Sequence, residues 1–153
     1  MSARVYPLGA ILAVSFALST GLAFAAANES WLLLEQADRA EFRDGRITLT
    51  GMDDSVIMFS ERPFRNTKRL PLTQLIENWG RGSDSFITNP PNAALTGLRD
   101  GKQMAVVLEL SDPAFSEGEL SFSYVPIEGE EVSALSHVTL LIDNPCWMPG
   151  ACS

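Results

Sequence analysis

A guanidinium at Arg62, a carboxylate at Asp84 and an amide at Asn92 punctuate the stretch from Phe59 to Leu95. Together they offer a planar fork of donors, an acceptor, and a group that is both, which equips them to hold an anion or a hydrogen-bonding ligand. The same residues have a purely structural use: Arg62 pairs with Asp84 and pins the segment, while Asn92 satisfies backbone groups of a turn. Trp147 is the other candidate contact residue. It stands between Cys146 and Cys152 in "CWMPGAC", where a rigid loop holds a flat aromatic partly exposed, although packing onto the domain is the commoner fate of a tryptophan.

Other reactive types are less promising. Asp53 and Asp54 are adjacent, and neighbouring acids in a turn face water, whereas a glycosidase pair must flank a bond across a cleft at about 5 Å or more. His137 is the single histidine, so any serine or cysteine hydrolase must work through it. Alternation sets it opposite Val138, Leu140 and Ile142, on the outer face of a strand. Neither a GxSxG elbow nor an HExxH zinc motif occurs. The two cysteines read as a disulfide in an exported chain, closed by the turn at Pro149 and Gly150 and contributing about 2.4 kcal/mol. A soft metal site made of them with Met148 and His137 lacks ligand spacing such as C-x2-C. No metal and no cofactor are expected. Trp31 and Trp79 remain as flat aromatics, and Trp79 falls on an apolar stripe that points it into a core.

The elements that position these residues are mostly strands. In "AVVLEL", Val106, Leu108 and Leu110 share one face, and in "LSFSY", Leu120, Phe122 and Tyr124 alternate with serines, which is the period of half-buried antiparallel strands. "SDPAFSEGE" between them, with Pro113 and Gly118, suits a long hairpin connection. "RITLTGM" and "SVIMFS" read as a first hairpin turning at Asp53 and Asp54, and "HVTLLID" reads as a last strand. Weaker strands cover Trp31 to Gln36 and Ala93 to Leu98. One segment has a different period: in "LPLTQLIENWG", Leu72, Leu75, Ile76 and Trp79 recur at helical spacing, with Pro71 suited to the first turn and Gly80 just past the end. The count is seven to nine strands, and the expected fold is mainly β, an antiparallel β-sandwich with one short amphipathic helix in an insertion. "FSERPF" before the helix and "NPPN" after it, with Pro63, Pro90 and Pro91, stiffen both ends of that insertion.

The chain opens with Arg4 and then an uncharged apolar run from Val5 to Asn28, ending in small residues at Ala23, Ala25 and Ala27. This is the pattern of a cleaved signal peptide, residues 1–25, followed by a single domain over 26–153. The rival is an uncleaved anchor, since the run matches the roughly 20 residues of one bilayer crossing. Beyond the leader, 10 Lys and Arg stand against 19 Asp and Glu, a net charge of −9. That balance disfavours nucleic acid and anionic membrane as partners.

"FSERP", the Trp79 helix, "DSF" and "NPPNAAL", followed by "VVLELSDPAFSEGELSFSY" and "LLID", resemble a family of exported bacterial proteins without an assigned activity, in which the motifs run FSDRP, W, SF and DPPNA. The match spans roughly Ile47 to Asp143. Glu61 and Asn89 stand where that pattern has Asp. The resemblance implies an independent exported domain and brings no catalytic residues.

The reading is therefore a monomeric, exported binding or interaction module, periplasmic or secreted, whose partner is a protein or small molecule and not nucleic acid or membrane once the leader is removed. The alternative is a hydrolase with a site between the helix insertion and the sheet. Protein recovered from a bacterial periplasm should begin at Ala26 or Asn28 and gain mass on reduction and alkylation of Cys146 and Cys152. Intact-mass spectrometry checks both expectations, and a full-length mass with two free thiols contradicts them.

Overall fold

The computed structural model of the protein describes residues 29–82 and 85–143. The expected signal segment, Asp84, Trp147, Met148 and the Cys146–Cys152 pair lie outside the described residues. What is described is mainly β: one antiparallel sheet of eight strands and a single short helix. In chain order these are β1 (Trp31–Arg43), β2 (Arg46–Thr50), β3 (Ser55–Ser60), β4 (Thr67–Pro71), α1 (Leu72–Asn78), β5 (Asn92–Arg99), β6 (Lys102–Ser116), β7 (Glu119–Glu128) and β8 (Ala134–Asp143).

The period of two does its work as expected. Val106, Leu108 and Leu110 of β6, Leu120 and Phe122 of β7, and Val138, Leu140 and Ile142 of β8 are all buried on one face. The two layers belong to one sheet that turns back on itself. β2 pairs with both β7 and β1, so β1, β2, β7, β6, β5 and β8 form a closed ring of antiparallel neighbours. Strand direction alternates around such a ring, which an even number of strands permits, and closure removes the open edges that six free strands would leave. β3 and β4 extend from the N-terminal half of β1 as a two-stranded flap.

The expected hairpin from β2 to β3 is not formed. Both segments are antiparallel to β1, β2 against its C-terminal half (Arg39↔Thr50) and β3 against its N-terminal half (Leu34↔Ile57). They are two pieces of one interrupted strand, offset from each other by two residues of register. The surplus residues bow outward between Gly51 and Ser55. Local sequence suggested a turn at Asp53 and Asp54; instead the chain only bends, at Gly51 and Asp54, and does not reverse, because β1 offers both pieces the same edge.

Two further boundaries differ from expectation. β6 runs through Pro113 to Ser116, because Asp112 and Pro113 form a bulge against β7 and a bulge tolerates a residue without an N–H. Asp112 takes φ +46, and the Arg46 guanidinium holds the site by donating to the Asp112 carbonyl at 3.1 Å and to the Ser121 and Ser123 hydroxyls at 2.8 and 3.0 Å. β4 was not anticipated: exposed along most of its length, "TKRLP" has no apolar alternation to announce it, and it exists by pairing with β3.

The helix follows β4 directly and is where its spacing placed it, with Pro71 as the residue before the first turn. Leu72, Leu75 and Trp79 are buried, and Trp79 packs against Phe86 and Phe122 with ring centroids 4.7 and 5.6 Å apart. The helix thereby lies between β4 and β6 and covers the gap left where the flap diverges from the ring. The proline elbow fixes the return: the Phe86 N–H donates to the Trp79 carbonyl at 3.0 Å, Pro91 is buried, and its carbonyl accepts from Leu110 N–H at 3.0 Å.

Gly51 starts the bow at φ +71, and a Cβ there would collide with the Asp38 side chain. Gly45, in the β1–β2 turn at φ +74, has open space around it. Both Gly→Ala variants bear the strain of positive φ, roughly 1 kcal/mol, and Gly51→Ala should cost about 1–2 kcal/mol more. Urea denaturation of the two variants side by side checks the difference.

Candidate functional site

The bow opens a cleft beside β1. On that edge Trp31–Leu34 is covered by β3 and Arg39–Arg43 by β2, and between them Glu35 to Ala37 has no neighbouring strand. A cavity of about 460 Å³ results, lined by Glu35 and Asp38 of β1, Asp53 of the bow, Arg69 of β4 and His137 of β8, with Leu34, Ile57 and Val138 as apolar wall. The neighbouring strand is shaped to the same feature. Inward-facing residues in β1 run Trp31, Leu33, Glu35, Ala37 and then switch phase to Ala40; in β8 they switch between Leu135 and Val138. His137 is the extra residue of a bulge against β5, at φ +51, which turns its ring outward at the rim.

Glu35 is the residue that inspection of the motifs missed. It occupies an inward position in the alternation of "WLLLEQA", between Leu33 and Ala37, and its side chain is 6% exposed. Its Oε2 has no hydrogen-bond partner among the described residues. Burial pushes the carboxyl from 4.5 up to about 7; the backbone amide of Gln36 pulls the other way, the Asp53 carboxylate adds to the rise, and Arg69 offsets part of it. The signal was available in the sequence as an acid on the inner face of an otherwise apolar strand.

The Arg69 guanidinium is already engaged. It donates to Asp53 Oδ2 at 3.3 Å and to Ser55 Oγ at 3.2 Å, across the mouth of the cleft. These exposed contacts brace the bow against the flap and contribute little energy on their own.

The structure brings Asp53 and His137 together at this cleft, although neither was a strong candidate alone. Asp54 serves the backbone, its carbonyl accepting from Leu72 N–H at 2.8 Å at the start of the helix. Arg62 lies elsewhere, in the β3–β4 turn, lining an open hollow with Glu61, Arg65 and Asn66. Asn92 is exposed at the start of β5, opposite Glu109, and lines neither that hollow nor the cleft. Trp31 is buried, with the Lys68 ammonium 5.1 Å from its ring centroid, and Trp79 is core. Among the described residues, no three His, Cys, Asp or Glu side chains gather closely enough to hold a metal ion.

Comparison with protein-family models, with curated proteins and with solved structures yields no match for the chain.

Folding raises the Glu35 pKa, so the native chain binds more protons than the unfolded chain between pH 4.5 and about 7. This group's contribution to stability is full below that window and is lost as pH rises through it. Glu35→Gln removes the titration. Relative to the variant, the natural chain should lose roughly 1–3 kcal/mol on going from about pH 4 to about pH 8. Denaturation midpoints of the pair across that range measure it, and parallel curves would show that the carboxyl is not desolvated.

Proposed function

We propose that the protein is an exported, monomeric binding module whose ligand enters the cleft between the bow and β1. One observation carries the reading: a carboxyl side chain that is almost wholly buried has an oxygen without a protein partner, and it lines a cavity large enough for a small molecule. A buried acceptor left unmet costs about 1–3 kcal/mol, and a site of this kind is where an arriving donor gains most. The lining of the cleft is mostly polar, with Leu34 and Ile57 as apolar contacts, so charge and hydrogen bonding would set its selectivity more than apolar area does. The leader-like N-terminus supports export, and the net charge of −9 beyond it argues against a nucleic-acid partner.

Hydrolysis is the second reading, and the same carboxyl favours it, because a group titrating near neutrality is suited to general acid–base catalysis. Its place would be the cleft, with Asp53 as the second carboxylate. Among the described residues, the hollow between helix and sheet is lined by Trp79, Phe86, Ser111 and Asp112, with no histidine in its wall.

A fragment library of amines, carboxylates, sugars and dipeptides, followed by protein amide chemical shifts, separates the readings. Binding should move the signals of Glu35 to Asp38 and Gly51 to Ser55, and the fragments should be recovered unchanged. Hits that cluster at Arg62 or Asn92 instead would overturn the cleft as the binding site. Chemical conversion that disappears in Glu35→Gln would replace binding with catalysis.

A further inference from the structure

We propose that the cleft takes a small organic cation carrying N–H donors, a primary ammonium or a guanidinium, seated against the Glu35 carboxylate; this rests on the reading of the cleft as the binding site. The charges that face Glu35 decide the sign. β1 contributes Asp38, the bow contributes Asp53, β4 contributes Arg69 and β8 contributes His137. Asp53 and Arg69 are paired with each other at 3.3 Å, so their charges largely cancel. What is left is Asp38 and Glu35, both acidic, with the His137 ring at the rim. An anion entering here meets two carboxyls and an arginine already committed to Asp53 and Ser55. A cation meets the opposite situation.

The hydrogen-bonding pattern agrees with the charge. Glu35 lines the cleft with a carboxyl short of donors, its enclosed Oε2 meeting none among the described residues, and the adjacent edge of β1 has no strand opposite it to occupy its backbone groups. An ammonium or guanidinium brings several N–H groups and no acceptor, so it can satisfy the carboxylate without stranding a polar atom of its own. The stem of such a molecule has Leu34, Ile57 and Val138 to lie against. At roughly 30 Å³ per water displaced, 460 Å³ has room for a molecule of about fifteen heavy atoms.

Uptake of the cation is linked to loss of a proton. In the free protein the buried Glu35 carboxyl is divided between its two forms near neutrality. The cation binds the ionised form, so protonated Glu35 and the free ligand give the carboxylate–ammonium pair and one proton released to solvent. Affinity is scaled by the ionised fraction, which rises about tenfold between pH 6 and pH 8 for a group titrating near 7.

Butylammonium and butylguanidinium, with butyrate and butanol as same-length anionic and neutral probes, test this by titration calorimetry at pH 6, 7 and 8 in phosphate and additionally in HEPES at pH 7, with amide shifts to locate each probe. The expected result is cation binding in the cleft, a tenfold gain in affinity from pH 6 to pH 8, and release of about half a proton at pH 7. His137→Gln separates the rim histidine from the carboxyl: the pH dependence should survive in it and vanish in Glu35→Gln, which should also lose at least tenfold in affinity at pH 8. Both variants are to be checked for an unchanged amide spectrum away from the cleft. Butyrate or butanol seated in the cleft as tightly as the cations would overturn the cation assignment and leave the cleft as the binding site. Binding of every probe away from the cleft would defeat both. Failure of either cation to bind, or a pH dependence that disappears in His137→Gln, overturns the proposal.

Discussion

One edge of β1 has to serve two partners that are out of step by two residues, and much of the molecule follows from that mismatch. If β2 and β3 were a single strand in register, the edge from Trp31 to Arg43 would be covered throughout, and no space would open beside Glu35. The surplus must go somewhere. It bows out at Gly51, where positive φ is available at small cost, and it is braced from outside by Arg69 through Asp53 and Ser55. The same level of the sheet carries the phase change in β1 and the bulge in β8, so the ring bends where it is also interrupted.

The opposite problem, a gap that must be filled, arises where the flap leaves the ring. β7 follows β2 and is not paired with β3, so the ring and the flap part at that point. A two-turn helix is marginal by itself, and this one depends on burying Leu72, Leu75 and the adjacent Trp79. Its ends are tied in turn, by Asp54 at the start and by Phe86 and Pro91 on the return. The prolines are thus part of how the core is closed. The site and the helix are coupled through the bow, since Asp54 belongs to the segment that carries Asp53.

How much of this was legible depended on whether the determinant was local. Val106, Leu108 and Leu110 declare a strand by alternation, and Leu72, Leu75 and Trp79 declare a helix by theirs; both signals are set by neighbours in sequence and both hold. Pairing is not local. Nothing in "RITLTGMDDSVIMFS" says that its halves lie end to end along a third strand, and a bend near Asp53 and Asp54 fits either arrangement. β4 was invisible because an exposed edge strand needs no apolar pattern, and Pro113 misled because a bulge accommodates what a regular ladder excludes. Arg62 and Asn92 were chosen for chemical type and prove to sit apart, while Glu35 was passed over because a single acid in an apolar strand looks like an interruption until the strand's inner face is assigned.

β1 and β8 pair along almost the whole of their length, from Leu32 with Asp143 to Glu41 with Ala134, so the seam of the ring joins the first strand to the last. During synthesis, hairpins such as β5–β6 can form as they emerge, but the ring is unsealed until the chain has been made as far as Asp143. The ring therefore cannot close before β8 is available, and its closure depends on contacts far apart in sequence. A nascent chain of this topology keeps its ring open for as long as β8 is held back.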